Sequence, residues 1–243
     1  MPSALVVVPT YDEIDSLERT IGRLRQSVPH ATVLIVDDSS PDGTGELADS
    51  LAAEDAGVEV VHRTERGYGS AVREGFRRGI AAGVDAIAVI DADGSYDVTL
   101  LGEMLDAIGE DVDLVIASRW VPGGDVRAMA GRRRLLSQVG NRYARTLLGT
   151  DVQDLTSAFR VYSTRVLRRM PLDRMTSDSI AFQIELAVRV AQAGGRIVEM
   201  PVQFTERAVG VSKTDVGMVL GTLRRVTQWG VHGIRARPRA PRS

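Results

Sequence analysis

The sequence predicts an α/β protein built on a doubly wound, mostly parallel sheet with helices on both faces. Short apolar runs recur through the first half of the chain, and segments with helical spacing of apolar residues separate them. Strands that alternate with helices form right-handed βαβ units, in which the strands run parallel. The predicted strands cover residues 5–8, 33–36, 58–61, 86–90 and 114–117.

Two helices between these strands are indicated by stripes of apolar residues at helical spacing. The stripes consist of Leu17, Ile21, Leu24 and Val28, and of Val72, Phe76 and Ile80.

The alternation stops after residue 118. A loop at 121–125, a helix at about 132–148, strands at 157–162 and 196–204, and a helix at about 181–193 between these strands are expected. We therefore predict a second half that is added to the same sheet, and a basic disordered tail at residues 235–243.

Composition excludes several classes of protein. With 243 residues and 44% hydrophobic content, the chain can bury a core. The absence of cysteine excludes disulfides, thiolate metal sites and a cysteine nucleophile. Aromatic residues make up only 5%, with no basic patch among them, which predicts no nucleic-acid binding. No signal peptide or membrane anchor precedes the first apolar run, which predicts a cytoplasmic protein.

The strongest functional signal is a pair of carboxylates, Asp91 and Asp93, at the end of the fourth apolar run. In an open α/β sheet, ligands bind in the crevice beyond the carboxyl ends of the strands. Mg²⁺ is typically held there by one or two carboxylates together with substrate phosphate oxygens. The pair therefore predicts a divalent cation bound to a diphosphate. The alternative is that the two residues cap the following turn and helix.

The ends of the first two strands point to the same crevice. Pro9 ends the first ladder, and Tyr11 and Glu13 follow it, so an aromatic ring is available to lie against a nucleobase. Asp37 and Asp38 end the second strand, and an ionised carboxylate there can accept from the ring N–H of guanine or uracil. Turn formation or helix capping is the alternative for each motif. No glycine-rich dinucleotide or P-loop motif is present, which argues against a dehydrogenase or a P-loop NTPase.

These motifs resemble those of known enzymes. The first half of the chain is similar to family-2 glycosyltransferases of the GT-A fold in Pro9-x-Tyr11-x-Glu13, Asp37-Asp38-x-Ser40, Asp91-Ala92-Asp93-Gly94, and Ser118-Arg119 followed by Pro-Gly-Gly. The second half is similar to polyprenol (dolichol) phosphate mannosyltransferases in Arg133 with Ser137, the segment 154–160, residues 204–207 leading into 210–213, and the ending 226–230. The resemblance covers residues 4–234.

The resemblance implies an inverting transfer of mannose from GDP-mannose to a polyprenyl phosphate. Residues 1–118 would be the nucleotide-sugar-binding half and residues 119–234 the acceptor-binding half. The resemblance implies that the guanosine is bound by Pro9, Tyr11, Glu13 and Asp38, and that Mg²⁺ or Mn²⁺ and the donor diphosphate are bound by Asp91, Ala92, Asp93 and Ser95. The acceptor phosphate would be bound by Arg119, Arg133 and Ser137. Arg207 and Lys213, which is the only lysine in the chain, would bind the donor phosphates from a mobile loop.

The chain departs from the family pattern at two positions. Ser95 stands where many relatives carry Gln, so the metal would keep an extra water. Ala158 replaces a glycine in the segment that runs from Asp154 to Arg160. We predict that Asp154 and Arg160 form an ion pair that shapes the acceptor half.

A lipid acceptor implies contact with a membrane. A helix is predicted near the end of the chain. Its polar face carries Arg224, Arg225 and Gln228, and its apolar stripe consists of Val219, Leu223, Val226 and Trp229. The stripe suits docking on the cytoplasmic face of an anionic membrane or packing against a membrane-embedded partner. Packing on its own domain is the alternative.

Phosphate chemistry fixes the expected mechanism. The second pKa of a phosphate monoester is about 6, so the acceptor oxygen is already an anionic nucleophile at neutral pH. No general base is required, and a single in-line attack would give a β-linked product from an α-linked donor. A related transferase that uses UDP-glucose or another nucleotide sugar, and a non-catalytic nucleotide-sugar-binding module, remain the alternatives.

Overall fold

The computed structural model describes residues 2–126, 129, 131–175, 177–204 and 216–231. Seven strands in this part of the chain form one sheet: β1 (Ala4–Thr10), β2 (Thr32–Asp37), β3 (Val58–His62), β4 (Ala86–Val89), β5 (Leu114–Ser118), β6 (Arg160–Ser163) and β7 (Ile197–Pro201). Their order across the sheet is β3-β2-β1-β4-β6-β5-β7, and only β6 runs antiparallel to its neighbours.

Helices cover both faces of the sheet, as the sequence predicts. The helices are α1 (Leu17–Ser27), α2 (Thr44–Glu54), α3 (Tyr68–Ala82), α4 (Leu101–Asp106), α5 (Gly131–Leu148), α6 (Thr164–Leu167), α7 (Ser179–Gln192) and α8 (Val216–Val231). Buried residues of α1, α2 and α4 pack on one face, and those of α3, α5, α6, α7 and α8 pack on the other. The predicted α/β fold class is confirmed.

The direction of the strands determines where polar side chains collect. The six parallel strands all end at the same edge of the sheet, here called the carboxyl edge. Because β6 is antiparallel, it begins at this edge, where Arg160 pairs with Val89 of β4 and Ile116 of β5. Residues that follow β1, β2, β4 and β5, and those that precede β6, therefore meet along one line.

The two late strands are shorter than the sequence predicts. β6 starts at Arg160, and the chain before it includes a turn in which the Asp154 side chain accepts from the Thr156 N–H at 3.2 Å. β7 ends at Pro201, and Gln203 and Phe204 form isolated bridges to Asp125 and Tyr96 instead.

The predicted ion pair between Asp154 and Arg160 is wrong. Arg160 is fully buried, and its guanidinium donates to three carbonyl oxygens: Ser157 O at 2.7 Å, Leu155 O at 2.7 Å and Gln183 O at 2.6 Å. The planar guanidinium has five N–H donors that point in fixed directions, so it can donate to three separate carbonyl oxygens at once. Arg160 thus ties the turn before β6 to α7.

Two of the four residues of the apolar stripe on α8 pack within the domain. Val226 and Trp229 are 1% and 9% exposed, and α8 contacts both α5 and α7. These two residues are therefore not available for the membrane contact considered above, whereas Val219 and Leu223 are partly exposed. No helix in the described ranges is both long and apolar enough to span a bilayer.

Replacing Arg160 should destabilise the fold strongly. Arg160→Met would remove this donor from the buried Ser157 and Leu155 carbonyl oxygens, and each costs about 1 kcal/mol or more, whereas the Gln183 carbonyl keeps its partner within α7. We expect the free energy of unfolding in urea to fall by at least about 2 kcal/mol. Arg78→Met is the matched control, since Arg78 forms an exposed pair with Glu74 on α3 worth about 0.5 kcal/mol. Equal losses for the two variants would contradict this role of Arg160.

Candidate active site

The candidate metal ligands lie in a tight turn at the carboxyl edge. Asp91 and Asp93 follow β4, with Asp93 only 7% exposed and Asp91 partly buried. The Asp93 Oδ1 accepts from the Ser95 N–H at 2.9 Å, and the carbonyl of buried Ala92 accepts from the Thr20 hydroxyl of α1 at 2.8 Å. Gly94 has a φ of 71°, a value that favours glycine. The turn therefore places both residues at the carboxyl edge of the sheet and fixes the Asp93 carboxylate against the Ser95 N–H.

The donor set fits a hard divalent cation that arrives with its substrate. The turn offers two carboxylates, and no group of three or more His, Cys, Asp or Glu residues that could hold a metal occurs in the described part of the chain. Mg²⁺ commonly completes its coordination with substrate phosphate oxygens and water rather than with more protein ligands. Asp91 and Asp93 match that arrangement. The part of Ser95, which is buried, stays a prediction.

The carboxylates at the end of β2 anchor loops. Asp38 is 5% exposed; its Oδ1 lies 2.7 Å from Arg63 Nη1, and its Oδ2 accepts from the Gly67 N–H at 2.8 Å. Burial raises the pKa of Asp38, and the Gly67 hydrogen bond and the Arg63 charge only partly oppose it. Asp37 accepts from the Thr10 hydroxyl at 3.2 Å. Asp38 thus holds the loop between β3 and α3 in place, and its contact with a base stays a prediction.

Two flat side chains meet beside this loop. The Arg66 guanidinium carbon lies 4.5 Å from the centroid of the Tyr11 ring, within the range of a cation–π contact. The chain after Pro9 is fixed by two hydrogen bonds: the Asp12 N–H donates to Ser40 at 3.1 Å, and the Glu13 N–H donates to Thr44 at 3.0 Å. Tyr11 therefore lies beyond the end of β1 with a stacking partner that the sequence did not indicate, and its contact with a nucleobase stays a prediction.

The acceptor side is built on a buried ion pair. Arg119 follows β5, and its Nε and Nη2 donate to the two carboxylate oxygens of Asp154, each at 2.8 Å. Asp154 is 0% exposed. Burial would raise the pKa of Asp154, but the charge and hydrogen bonds of Arg119 outweigh it and hold the pKa below its usual value. Both residues are therefore charged, and Arg119 has a protein partner at the position predicted to bind the acceptor phosphate.

Glu199 of β7 fixes the backbone on which Asp154 stands. Its carboxylate accepts from the backbone N–H groups of Gln153 at 2.7 Å and Asp154 at 2.8 Å. Phe204 also covers the Arg119 guanidinium at 5.5 Å. Arg119 remains a predicted contact of the acceptor phosphate, but its first role in the structure is to hold Asp154.

Several predicted site residues are only partly described by the structure or lie outside the described residues. Ser137 is on α5 and partly exposed, and the helix also contains Arg133, whose side chain is outside the described residues. Arg207, Lys213 and the tail at 235–243 are also outside them. Their roles stay predictions.

Sequence reasoning missed four polar residues that shape the site. Arg63 and Glu199 are described above. Asp178 caps α7 and also accepts from the Gly69 N–H, which fixes the start of α3. Asn141 lies on the buried face of α5, in line with Ala144 and Leu148. A polar residue within an apolar stripe was the one signal that could have revealed Asn141.

A larger groove lies at the opposite edge of the sheet, away from all of these residues. Its volume is about 790 Å³, and its walls include Arg77, Arg168 and Asp173. Arg77 pairs with Asp173 at 3.0 Å, and Arg168 donates to the Ile80 carbonyl at 2.8 Å. None of the predicted site residues lines this groove.

Known proteins resemble the chain over most of its length. The family model described as Glycosyl transferase family 2 matches residues 5–175. An undecaprenyl-phosphate mannosyltransferase from Micrococcus luteus is 44% identical over 96% of this chain and 98% of its own length. A polyprenol monophosphomannose synthase from Mycolicibacterium smegmatis is 42% identical over 94% of this chain and 87% of its own.

The fold is also shared with a solved structure. A mannosyltransferase from Pyrobaculum calidifontis, in complex with GDP-Man and Mn²⁺, matches with a TM-score of 0.59 and 20% identity, over 87% of this chain and 58% of that chain. This likeness concerns the fold, which is GT-A as the sequence predicts. The chain belongs to glycosyl transferase family 2 and, within it, to the polyprenol-phosphate mannosyltransferases.

Proposed function

We propose that the chain transfers mannose from GDP-mannose to a polyprenyl phosphate with inversion at the anomeric carbon. The observation that carries the proposal is the turn at 91–95, which places two carboxylates at the carboxyl edge of a GT-A sheet. The Micrococcus and Mycolicibacterium relatives are named for mannose transfer to such lipids. The Pyrobaculum mannosyltransferase holds GDP-Man and Mn²⁺ together.

Two anions, the donor diphosphate and the acceptor phosphate, must approach each other in this reaction. Positive charge near each of them therefore lowers the electrostatic barrier. A Mg²⁺ or Mn²⁺ ion held by Asp91 and Asp93 would neutralise the departing diphosphate. On the acceptor side, α5 carries five arginines and no acidic residue. Their positive field favours the acceptor phosphate and opposes its repulsion by the donor.

Besides supplying these charges, the protein orients its substrates, and it needs no general base. The acceptor oxygen is anionic at neutral pH, because the second pKa of a phosphate monoester is about 6. Alignment of that oxygen with the anomeric carbon then supplies much of the rate, since it replaces an encounter in solution by a fixed geometry. We assign this alignment to Ser137 and Arg133 on α5, with Arg207 and Lys213 acting on the donor phosphates.

Transfer of labelled mannose from GDP-mannose to polyprenyl phosphate tests the function. We expect a chelator to abolish product formation, and Asp93→Asn to reduce kcat/KM by more than about 100-fold, because the cation contributes several kcal/mol. Asparagine still accepts from the Ser95 N–H, so the turn should survive. UDP-glucose serves as the comparison donor.

Asp97→Asn is the matched control for the metal pair. Asp97 follows the same turn, but its side chain is 44% exposed and accepts from Thr99. We expect less than about a twofold change for this variant, as for an ordinary surface substitution. Full activity in chelator, or equal losses for the two variants, would exclude the metal-assisted transfer proposed here.

The product should be β-linked. A single attack by the acceptor phosphate inverts the α-configured anomeric carbon, whereas a covalent enzyme intermediate would retain it. The anomeric carbon–hydrogen coupling in the NMR spectrum of the purified lipid distinguishes the two. An α-linked product would rule out the direct attack.

We further propose that the protein docks on an anionic membrane through the first turns of α5. Exposed apolar side chains concentrate there: Leu135 is 61% exposed, Leu136 61% and Val139 58%. Leu220 of α8 is 60% exposed, and α8 lies alongside α5, where the Tyr143 and Thr227 hydroxyls are 2.7 Å apart. The exposed arginines beside this surface are Arg132, Arg134, Arg142 and Arg224.

Apolar side chains flanked by arginines are typical of helices that lie in a membrane interface. Here the apolar surface adjoins Ser137, which is assigned to the acceptor phosphate, so docking would bring the lipid headgroup region to the site. Part of a peripheral protein's affinity for such a surface is electrostatic and weakens with salt.

Flotation with vesicles tests the membrane contact. We expect the protein to float with vesicles that contain phosphatidylglycerol and much less with phosphatidylcholine alone. The triple variant Leu135→Ser, Leu136→Ser and Val139→Ser should lower the bound fraction about tenfold or more, because it removes three exposed apolar side chains. Ile14→Ser, which removes an exposed apolar side chain elsewhere, is the control. Unchanged flotation of the triple variant would refute docking through α5.

A further inference from the structure

A chain of partly buried hydrogen bonds connects the Arg119–Asp154 pair to α5. Thr156 is its middle member. The Thr156 hydroxyl accepts from Arg119 Nη2 at 2.8 Å and from Asn141 Nδ2 at 3.2 Å, and it lies 3.2 Å from Asp154 Oδ1, to which it donates. One donor and two acceptor positions are all that a hydroxyl has, so Thr156 is saturated.

Asn141 is the member that belongs to α5. It is 3% exposed; its Oδ1 accepts from the Leu155 N–H at 2.8 Å, and its Nδ2 donates to the Ser137 carbonyl at 3.0 Å as well as to Thr156. The Leu155 N–H is a donor only, which fixes the orientation of the amide. Asn141 therefore links the turn at 154–156 with the helical turn that begins at Ser137.

The position of Asn141 along α5 gives this link its importance. Among the α5 side chains that the structure describes, those at 131–140 are exposed or half-buried, and Asn141 is the first buried one. The later buried residues, Ala144 and Leu148, make apolar contacts, which do not prescribe direction. The hydrogen bonds of Asn141 are thus the nearest buried and directional attachment for the first turns of α5.

We propose that Asn141 is a positioning residue for the acceptor phosphate. The hydrogen bonds of Asn141 to Thr156 and Leu155 hold the first turns of α5, which carry Ser137, at a fixed position relative to Arg119. The acceptor phosphate is thereby positioned relative to the bound donor. The inference rests on the proposed function, because it assigns the acceptor phosphate to α5. Asn141 itself does not touch the reacting atoms.

The proposal is tested by comparing acceptor and donor parameters. Asn141→Ala and Thr156→Val each break the link, and we expect each to raise the KM for polyprenyl phosphate about tenfold while the KM for GDP-mannose changes less than about twofold. Thr156→Ser keeps the hydroxyl and should behave as the unmodified protein does. The double variant should be no worse than either single one, since both remove the same connection.

Leu148→Ala separates positioning from general loss of stability. Leu148 is fully buried near the end of α5 and takes no part in the hydrogen bonds. We expect this variant to lower Tm at least as much as Asn141→Ala does, without changing the KM for the acceptor at a temperature well below either Tm.

A binding measurement keeps the inference separate from the proposed function. The Kd of farnesyl phosphate, a short polyprenyl phosphate, is measured by calorimetry with GDP and Mn²⁺ present, and it should rise about tenfold in Asn141→Ala and Thr156→Val. Absence of mannose transfer by the unmodified protein would overturn the proposed function alone. Unchanged farnesyl phosphate binding in both variants, or an equal effect of Leu148→Ala, would overturn the role of Asn141.

Discussion

The buried ion pair between Arg119 and Asp154 is the interaction on which the packing of β5, β6 and α5 depends. Both side chains are removed from water, and removing one partner of such a pair costs about 3–5 kcal/mol because the other charge is left unpaired. Glu199, Thr156 and Asn141 satisfy the groups around the pair. The end of β5, the turn before β6 and the helix α5 are thereby held at fixed distances.

The Arg119–Asp154 pair also interacts electrostatically with the turn after β4. The charge of Asp154 raises the pKa of Arg119 against the opposing effect of burial, and Asp91 makes a smaller contribution in the same direction. The charge of Asp91, in the turn after β4, therefore also acts on Arg119. In an enzyme that must bring two phosphate groups together, fixed positive and negative charges cost no reorganisation during the reaction.

Much of the fold and the position of the acidic turn after β4 could be predicted from the sequence, because these features depend on local patterns. Apolar runs and helical stripes identified the first five strands and α1 and α3, and the carboxylates after β4 follow from the end of one such run. The partner of Asp154 could not be predicted. Arg160 is six positions away in the chain, whereas Arg119 is 35 positions away and arrives only through the order of strands in the sheet.

The sequence by itself determined the strand–helix alternation, the acidic turn after β4 and the family to which the motifs belong, since each is encoded in neighbouring residues. Only the tertiary structure decided which face of α5 and α8 is covered, and which arginine neutralises Asp154. Burial is settled by what packs against a helix, and a buried carboxylate selects its partner by distance and geometry in space. The spacing of residues along the chain specifies neither what packs against a helix nor which arginine lies beside a buried carboxylate.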